Sequence, residues 1–270
     1  MDCARKDRGK SEMEIMEKKV GKMGISQAGW AGLKVLNRDV IKYIAMVTML
    51  LNHVAHAFLP EESVLYEVFL DIGFFTAITM CYFLVEGYEY THSKKRYALR
   101  LFFFALISQF PFWYVFPGFG LNMIFTLFVC FLILVAMEKI QHPTLRAVTI
   151  TLLVFVTIIS DWQLLAAIFT IMFVHAKGSE EKMVKLYGKA YLLFVFFNII
   201  SSLSMNGYSL WEALFHGLLS GIAILVSGVV ILIFYNGKRA EYGRTFSKWF
   251  FYLFYPGHLL VIGLLARTLA

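Results

Sequence analysis

From residue 39 onward the chain alternates long apolar runs with short polar breaks. The runs cover residues 39–58, 64–86, 97–116, 121–137, 145–160, 162–176, 187–203, 210–235 and 248–267. An apolar segment of about 20 residues, rising 1.5 Å per residue, matches a hydrocarbon core about 30 Å thick. Each run is therefore expected to form a transmembrane helix, nine in all. The fifth and sixth are short and joined only by Ser160-Asp161-Trp162; a tilted or re-entrant pair is the alternative there. No internal repeat stands out, so an inverted-repeat transporter has no direct support.

Composition agrees with the pattern. The 270 residues are 59% hydrophobic and 16% charged, with a mean hydropathy of +0.68, whereas soluble domains carry roughly 25% charged residues. The expected fold class is all-α, a polytopic integral membrane helical bundle over residues 38–270. A basic tail, residues 1–37, precedes it as a cytoplasmic extension without an apolar signal-peptide core. Gly9-Lys10-Ser11 resembles the end of a phosphate loop, but Ala4 stands where that loop needs glycine, and no strand precedes it. Cys3, Cys81 and Cys130 form no paired framework, so neither disulfides nor structural zinc is expected.

The net charge of +7 does not indicate nucleic acid, because the basic residues sit between apolar runs. In a nine-span arrangement 24 of the 25 Lys and Arg residues fall on one side, and only Arg267 on the other. The turns 60–63, 117–121 and 204–210 contain none. Positive charge is retained on the cytoplasmic side, which puts the N-terminus inside and the C-terminus outside.

Polar residues inside the runs are candidates for chemistry, since ionisable groups in hydrocarbon are costly and face a bundle interior. Met49, Asn52, His53 and His56 follow i, i+3, i+4, i+7 spacing and share one helix face. His53 lies about 20 Å from the cytoplasmic end, in the outer half of the membrane. In the ninth run Tyr255-Pro256-Gly257-His258 combines a helix-perturbing proline with a second histidine near mid-depth. Hydrogen-bonded structural histidines are the alternative reading of both. A metal site at His53 and His56 lacks a third acidic ligand nearby in sequence, and no metal is expected. Asp71, Glu86, Gln109, Asn122, Asn198, Glu212 and His216 are further polar positions. Glu86 and Arg100 are near enough to the same boundary to pair. Gly217 and Gly221 form a GxxxG seam for close helix packing.

Several blocks, in order, resemble the TraX family of membrane proteins: DVIKYIAMVTMLLNHV (39–54), FLVEGYEYT (83–91), YALRL (97–101), ISQFPF (107–112), LNMIFTL (121–127) and FFYLFYPGHLLVIGLL (250–265). The first and last blocks are the most specific, and residues 140 to 235 match only as apolar spans. The family's namesake acetylates the N-terminus of conjugative pilin. More distantly, Lys42, Ala45 and His53 are similar to the Arg-x-x-Ala...His spacing of membrane acyltransferases that acetylate cell-surface sugars, in which that histidine is taken as catalytic. The family has Asp before the first-helix histidine, where this chain has Asn52. It also carries an Arg and a Pro in the second helix, absent from residues 70–82.

The resemblance implies an acetyltransferase of a bacterial cell membrane that moves an acetyl group from cytoplasmic acetyl-CoA to an acceptor. The acceptor is a peptide or pilin N-terminus, an amine or a sugar hydroxyl. A proton-coupled carrier or channel and a non-catalytic scaffold are the competing classes. Transfer requires a base, oxyanion donors and cations for the CoA phosphates. His53 is expected to be the base, oriented by Asn52, with His258 as oxyanion donor or second base. Lys94, Lys95, Arg96, Arg100, Lys238 and Arg239 are expected at the phosphates. His56, Asp71, Asn122 and Tyr255 are expected along the acceptor path, Asn122 as a further donor.

Overall fold

The computed structural model describes residues 32–118, 120–205 and 207–269. The tail to residue 31, with Cys3 and Gly9-Lys10-Ser11, lies outside the described residues. Nine α-helices are present among the described residues: α1 (Arg38–Phe58), α2 (Val64–Tyr90), α3 (Lys94–Val115), α4 (Met123–Lys139), α5 (Pro143–Val156), α6 (Leu165–Ala176), α7 (Glu180–Met205), α8 (Leu210–Val229) and α9 (Arg244–Leu269). Each of the nine apolar runs is thus helical, and the only β pairing among these residues is two isolated bridges. Helices α1, α2, α3, α7, α8 and α9 are long and apolar enough to cross a membrane. The chain is a multi-pass membrane protein.

Local chemistry fixes where the helices begin. Asn37 accepts from the backbone N–H of Asp39 and Val40, Ser63 from Tyr66 and Ser93 from Arg96. Ser209 and Glu212 close a reciprocal capping box on α8. These caps satisfy first-turn donors that would otherwise be unpaired. Glu212 is thereby a cap residue, while His216 faces Glu67 at 3.5 Å and stacks on Tyr208.

Helix α2 is the central post, packed against α1, α4, α6 and α8. Its Ile78 and Cys81 are fully buried. α9 lies between α1 and α3. The seam at Gly217 and Gly221 is present: a Cβ at Gly221 would meet the Tyr191 ring at 2.6 Å, and one at Gly217 would meet Ile199 at 3.0 Å, both on α7.

One end of the bundle gathers charge. Arg38 pairs with Glu86, Lys94 with Glu138, Lys177 with Glu89 and Lys34 with Glu180. Glu86 therefore pairs with Arg38 and accepts from the Tyr235 hydroxyl (2.7 Å), rather than pairing with Arg100, which the sequence leaves open beside a simple boundary role. The link between α8 and α9 folds over this end: Arg38 N–H donates to Lys238 O and Asn236 N–H to Leu36 O.

Helices α5 and α6 are the shortest α-helices among the described residues. α5 has no buried residue and packs outside α4, continuing into a 3-10 turn, Thr157–Ile159. α6 is buried but has only 12 residues, about 18 Å of rise. That is shorter than a hydrocarbon core of about 30 Å; in the turn 160–164 that precedes it Ser160 is buried, Asp161, Trp162 and Leu164 are half-buried and Gln163 is exposed. That turn is tied to the loop before α4: Leu121 N–H donates to Ile159 O (2.8 Å) and Asp161 N–H to Leu121 O (2.7 Å). Gly120 allows the approach, because a Cβ there would fall 2.0 Å from the Ile159 carbonyl oxygen. Gly120→Ala is expected to force these backbones apart at a cost of about 1–3 kcal/mol. A lowered unfolding midpoint in detergent would register it; an unchanged midpoint would refute the claim that the contact is tight.

Candidate functional site

His53, fifteen positions into α1, and His258, in α9, meet across the bundle. His53 Nδ1 lies 2.7 Å from His258 Nε2, the ring planes are within 4° of parallel, and both residues are buried. His258 Nδ1 lies 2.7 Å from the Phe254 carbonyl oxygen one turn earlier. A carbonyl oxygen only accepts, so His258 Nδ1 carries a proton. In the neutral pair His258 Nε2 is then an acceptor, and His53 Nδ1–H donates to it. The chain of bonds runs from His53 to His258 to Phe254 O. It leaves His53 Nε2 as an unprotonated nitrogen, and His53 lines the adjoining hollow. α9 carries this arrangement as one helix through Pro256.

Two cavities meet at this point. The larger, about 750 Å³, opens among Arg38, Arg96, Arg100 and Arg239 at the charged end and reaches Tyr255. The smaller, about 120 Å³, is lined by Asn52, His53, His56, Asp161 and Trp162. Met49, Thr76, Met123 and Tyr255 line both and form the neck between them. Tyr255 sets its ring edge-on to both imidazoles, and its hydroxyl oxygen accepts from Met123 N–H at 3.4 Å.

Several expected roles change. Asn52 does not orient His53: its amide donates to Leu70 O (3.2 Å) on α2, and its side chain occupies the space over Gly73, where a Cβ would fall 2.4 Å away. Successive helix residues point about 100° apart, so a residue next to the histidine in sequence faces another neighbour. His258 holds His53 instead, and with both ring nitrogens engaged it is neither an oxyanion donor nor a second base. Asn122 is fully buried and fully used. It caps α4 through Oδ1 and donates to Ala105 O (2.8 Å) and Gln109 Oε1 (2.7 Å), so it offers no donor to a ligand. Asp71 accepts from Ser220 Oγ (2.5 Å) on α8 and lies off the small cavity. His56 does line it, with Nδ1 3.1 Å from the Tyr66 hydroxyl.

Of the six cations expected at the charged end, Arg96, Arg100 and Arg239 line the large cavity. Lys94 is taken up by Glu138 and the Tyr88 ring, and Lys95 and Lys238 lie off the lining. Arg38, Lys42 and Lys248 belong to it and were not expected. Lys42 holds its ammonium over the Phe251 ring at 5.2 Å. In the α8–α9 link, partial burial and then the charge of Arg38 lower the pKa of Arg239 from its ordinary value. Arg38 Nε and Arg100 Nε are buried without a hydrogen-bond partner. Orphaned guanidinium donors beside crowded cations are suited to an anionic ligand. Asp161 also escaped the sequence reading, although it is the sole acidic residue between Glu138 and Glu180. No cluster of three or more His, Cys, Asp or Glu able to hold a metal occurs among the described residues.

Residues 37–266 match the sequence profile of the family described as TraX protein. The chain is also 29% identical over 242 residues to a "Probable fimbrial assembly protein FimC, serogroup H1" of Dichelobacter nodosus, covering 82% of this chain and 92% of that protein. No solved structure matches.

Proposed function

The chain belongs to the TraX protein family, and on that premise we propose that it is a pilin-processing acyltransferase of a bacterial cytoplasmic membrane. In this reading the charged end of the bundle faces the cytoplasm and binds acetyl-CoA. The acceptor, a peptide or pilin N-terminus, another amine or a sugar hydroxyl, enters the small cavity from the opposite face. The observation that carries the reading is a pair of adjoining cavities that share four lining residues, the larger with a cationic mouth and the smaller lined by His53, which is bonded to His258.

Bound acetyl-CoA supplies an activated thioester carbonyl. Arg38 and Arg100 would hold its phosphates through the donors now without partners, with Arg96 and Arg239 beside them. The neck residues Met49, Met123 and Tyr255 restrict what passes toward His53 and exclude bulk water from it. His53 Nε2 takes the acceptor's proton. As it does so, His53 Nδ1–H stays directed at His258 Nε2, and the Phe254 carbonyl, through His258, stabilises the positive charge. His258 thus stands where other acyl-transfer sites use a carboxylate. Two neutral imidazoles avoid the cost of a buried permanent charge.

The test is transfer of radiolabelled acetyl from acetyl-CoA to a pilin N-terminal peptide by the purified protein in proteoliposomes. Label on the peptide, dependent on His53, supports the reading. Absence of acetyl-CoA binding sinks it, and solute flux without CoA favours a carrier instead.

A further inference from the structure

The small cavity contains a charge that the acyl-transfer reading leaves unused. Asp161 sits in the turn before α6 and lines the cavity together with His53 and His56. Its backbone is pinned on both sides: the N–H donates to Leu121 O (2.7 Å), and the carbonyl accepts from Thr126 Oγ1 (2.6 Å). The following residues are held in unusual conformations, Trp162 at φ 59° and Leu164 at φ 56°. Non-glycine residues at positive φ persist only where the surroundings enforce them, and they concentrate at functional sites. The turn is therefore rigid and presents Asp161 to the cavity at a cost in backbone energy.

Among the described residues no side chain forms a hydrogen bond or ion pair with the Asp161 carboxylate. It is within electrostatic reach of the Tyr255 hydroxyl. The Lys and Arg residues gather at the opposite end, apart from Arg267, whose guanidinium lies 4.0 Å from the Tyr114 ring centre. A half-buried carboxylate lining a cavity without a cation is unfavourable. The cavity has room for roughly four waters at about 30 Å³ each, and Asp161 and His53 both line it. The missing cation has to come from the ligand. A primary amine at neutral pH carries one, and a hydroxyl does not.

We propose that Asp161 is the acceptor-binding group of the small cavity, holding the acceptor as an ammonium ion beside His53 and so selecting primary amines over hydroxyls. This rests on the acyl-transfer reading for its chemistry, but not for the binding it implies. In the transfer, the ammonium gives one proton to His53 Nε2, which later releases it to solvent. The amine then forms its C–N bond to the acyl carbon as the C–S bond breaks, and the second nitrogen proton leaves with the sulfur. The products are an amide, a thiol and one proton.

Binding is measured first, without CoA, using a short peptide with a free α-amine and its isostere with an α-hydroxyl. The protein is the full chain in nanodiscs, as wild type, Asp161→Asn and Asp161→Glu. Loss of a charge-assisted contact is expected to weaken the amine peptide about 10- to 100-fold in Asp161→Asn, with recovery in Asp161→Glu and no change for the hydroxy isostere. With acetyl-CoA present, KM for the amine peptide rises by the same factor while kcat stays within about threefold, as expected for uniform binding loss. Equal amine affinity in wild type and Asp161→Asn overturns the proposal. So does an equal loss for both peptides, which marks a purely structural role. Asp161-dependent amine binding with no acetyl transfer by the wild type upholds the assignment while removing the acyl-transfer reading.

Discussion

Replacing His53 with alanine is expected to lower acetyl transfer by about 10²- to 10⁴-fold, the range contributed by a positioned general base. The expectation follows from the direction of the hydrogen bonds. Phe254 O fixes the proton on His258 Nδ1, and His258 Nε2 fixes the proton on His53 Nδ1, which leaves His53 Nε2 basic. His258→Gln retains a side chain able to accept from His53 Nδ1 but cannot take up positive charge. It is expected to retain part of the activity, and His258→Ala less. A single-turnover measurement, with acetyl-CoA binding recorded in parallel, separates loss of chemistry from loss of fold. Full activity in His53→Ala would remove the histidine pair from the mechanism.

Substituting Arg38 and Arg100 together with glutamine is expected to weaken CoA binding by about 10²-fold, near tenfold for each charge-assisted bond lost. Glutamine is preferred to alanine because it preserves volume beside Glu86 and Tyr252. Both guanidinium Nε groups are buried and unpartnered, so they are already desolvated and have their donors in place. Lys95→Gln is the control. Lys95 is a cation in the same stretch of chain that does not line the cavity, and it should leave affinity unchanged. Titration calorimetry in detergent at two salt concentrations checks the result, since removing the charges should also flatten the salt dependence. Equal affinities for the wild type and the double variant would move the donor site elsewhere.

Much of the architecture was legible because a bilayer leaves a chain few options. A backbone in hydrocarbon must satisfy its own hydrogen bonds, so each apolar run became a helix. The Gly217–Gly221 seam was readable for a similar reason, because small residues at that spacing only make sense against a neighbouring helix. The histidines were legible as interior groups for the cost reason alone. What the hydropathy pattern could not convey was depth. α6 and the run before it look like weak spans, yet the 160–164 turn between them brings Asp161 to the cavity that His53 lines.

The residues themselves determined which positions are helical, which end of the bundle collects the positive charge, and that His53 and His258 avoid lipid. Only the tertiary structure decided partnership. Asn52, beside His53 in sequence, spends its amide on Leu70, and His258, 205 positions away, supplies the bond to His53. Arg38 rather than Arg100 meets Glu86, and Asn122 is consumed as a cap. The reason is one of scale. Periodicity and transfer cost act over one helical turn and report the average surroundings of a side chain. A hydrogen bond depends on a few tenths of an ångström, set by how separate helices pack.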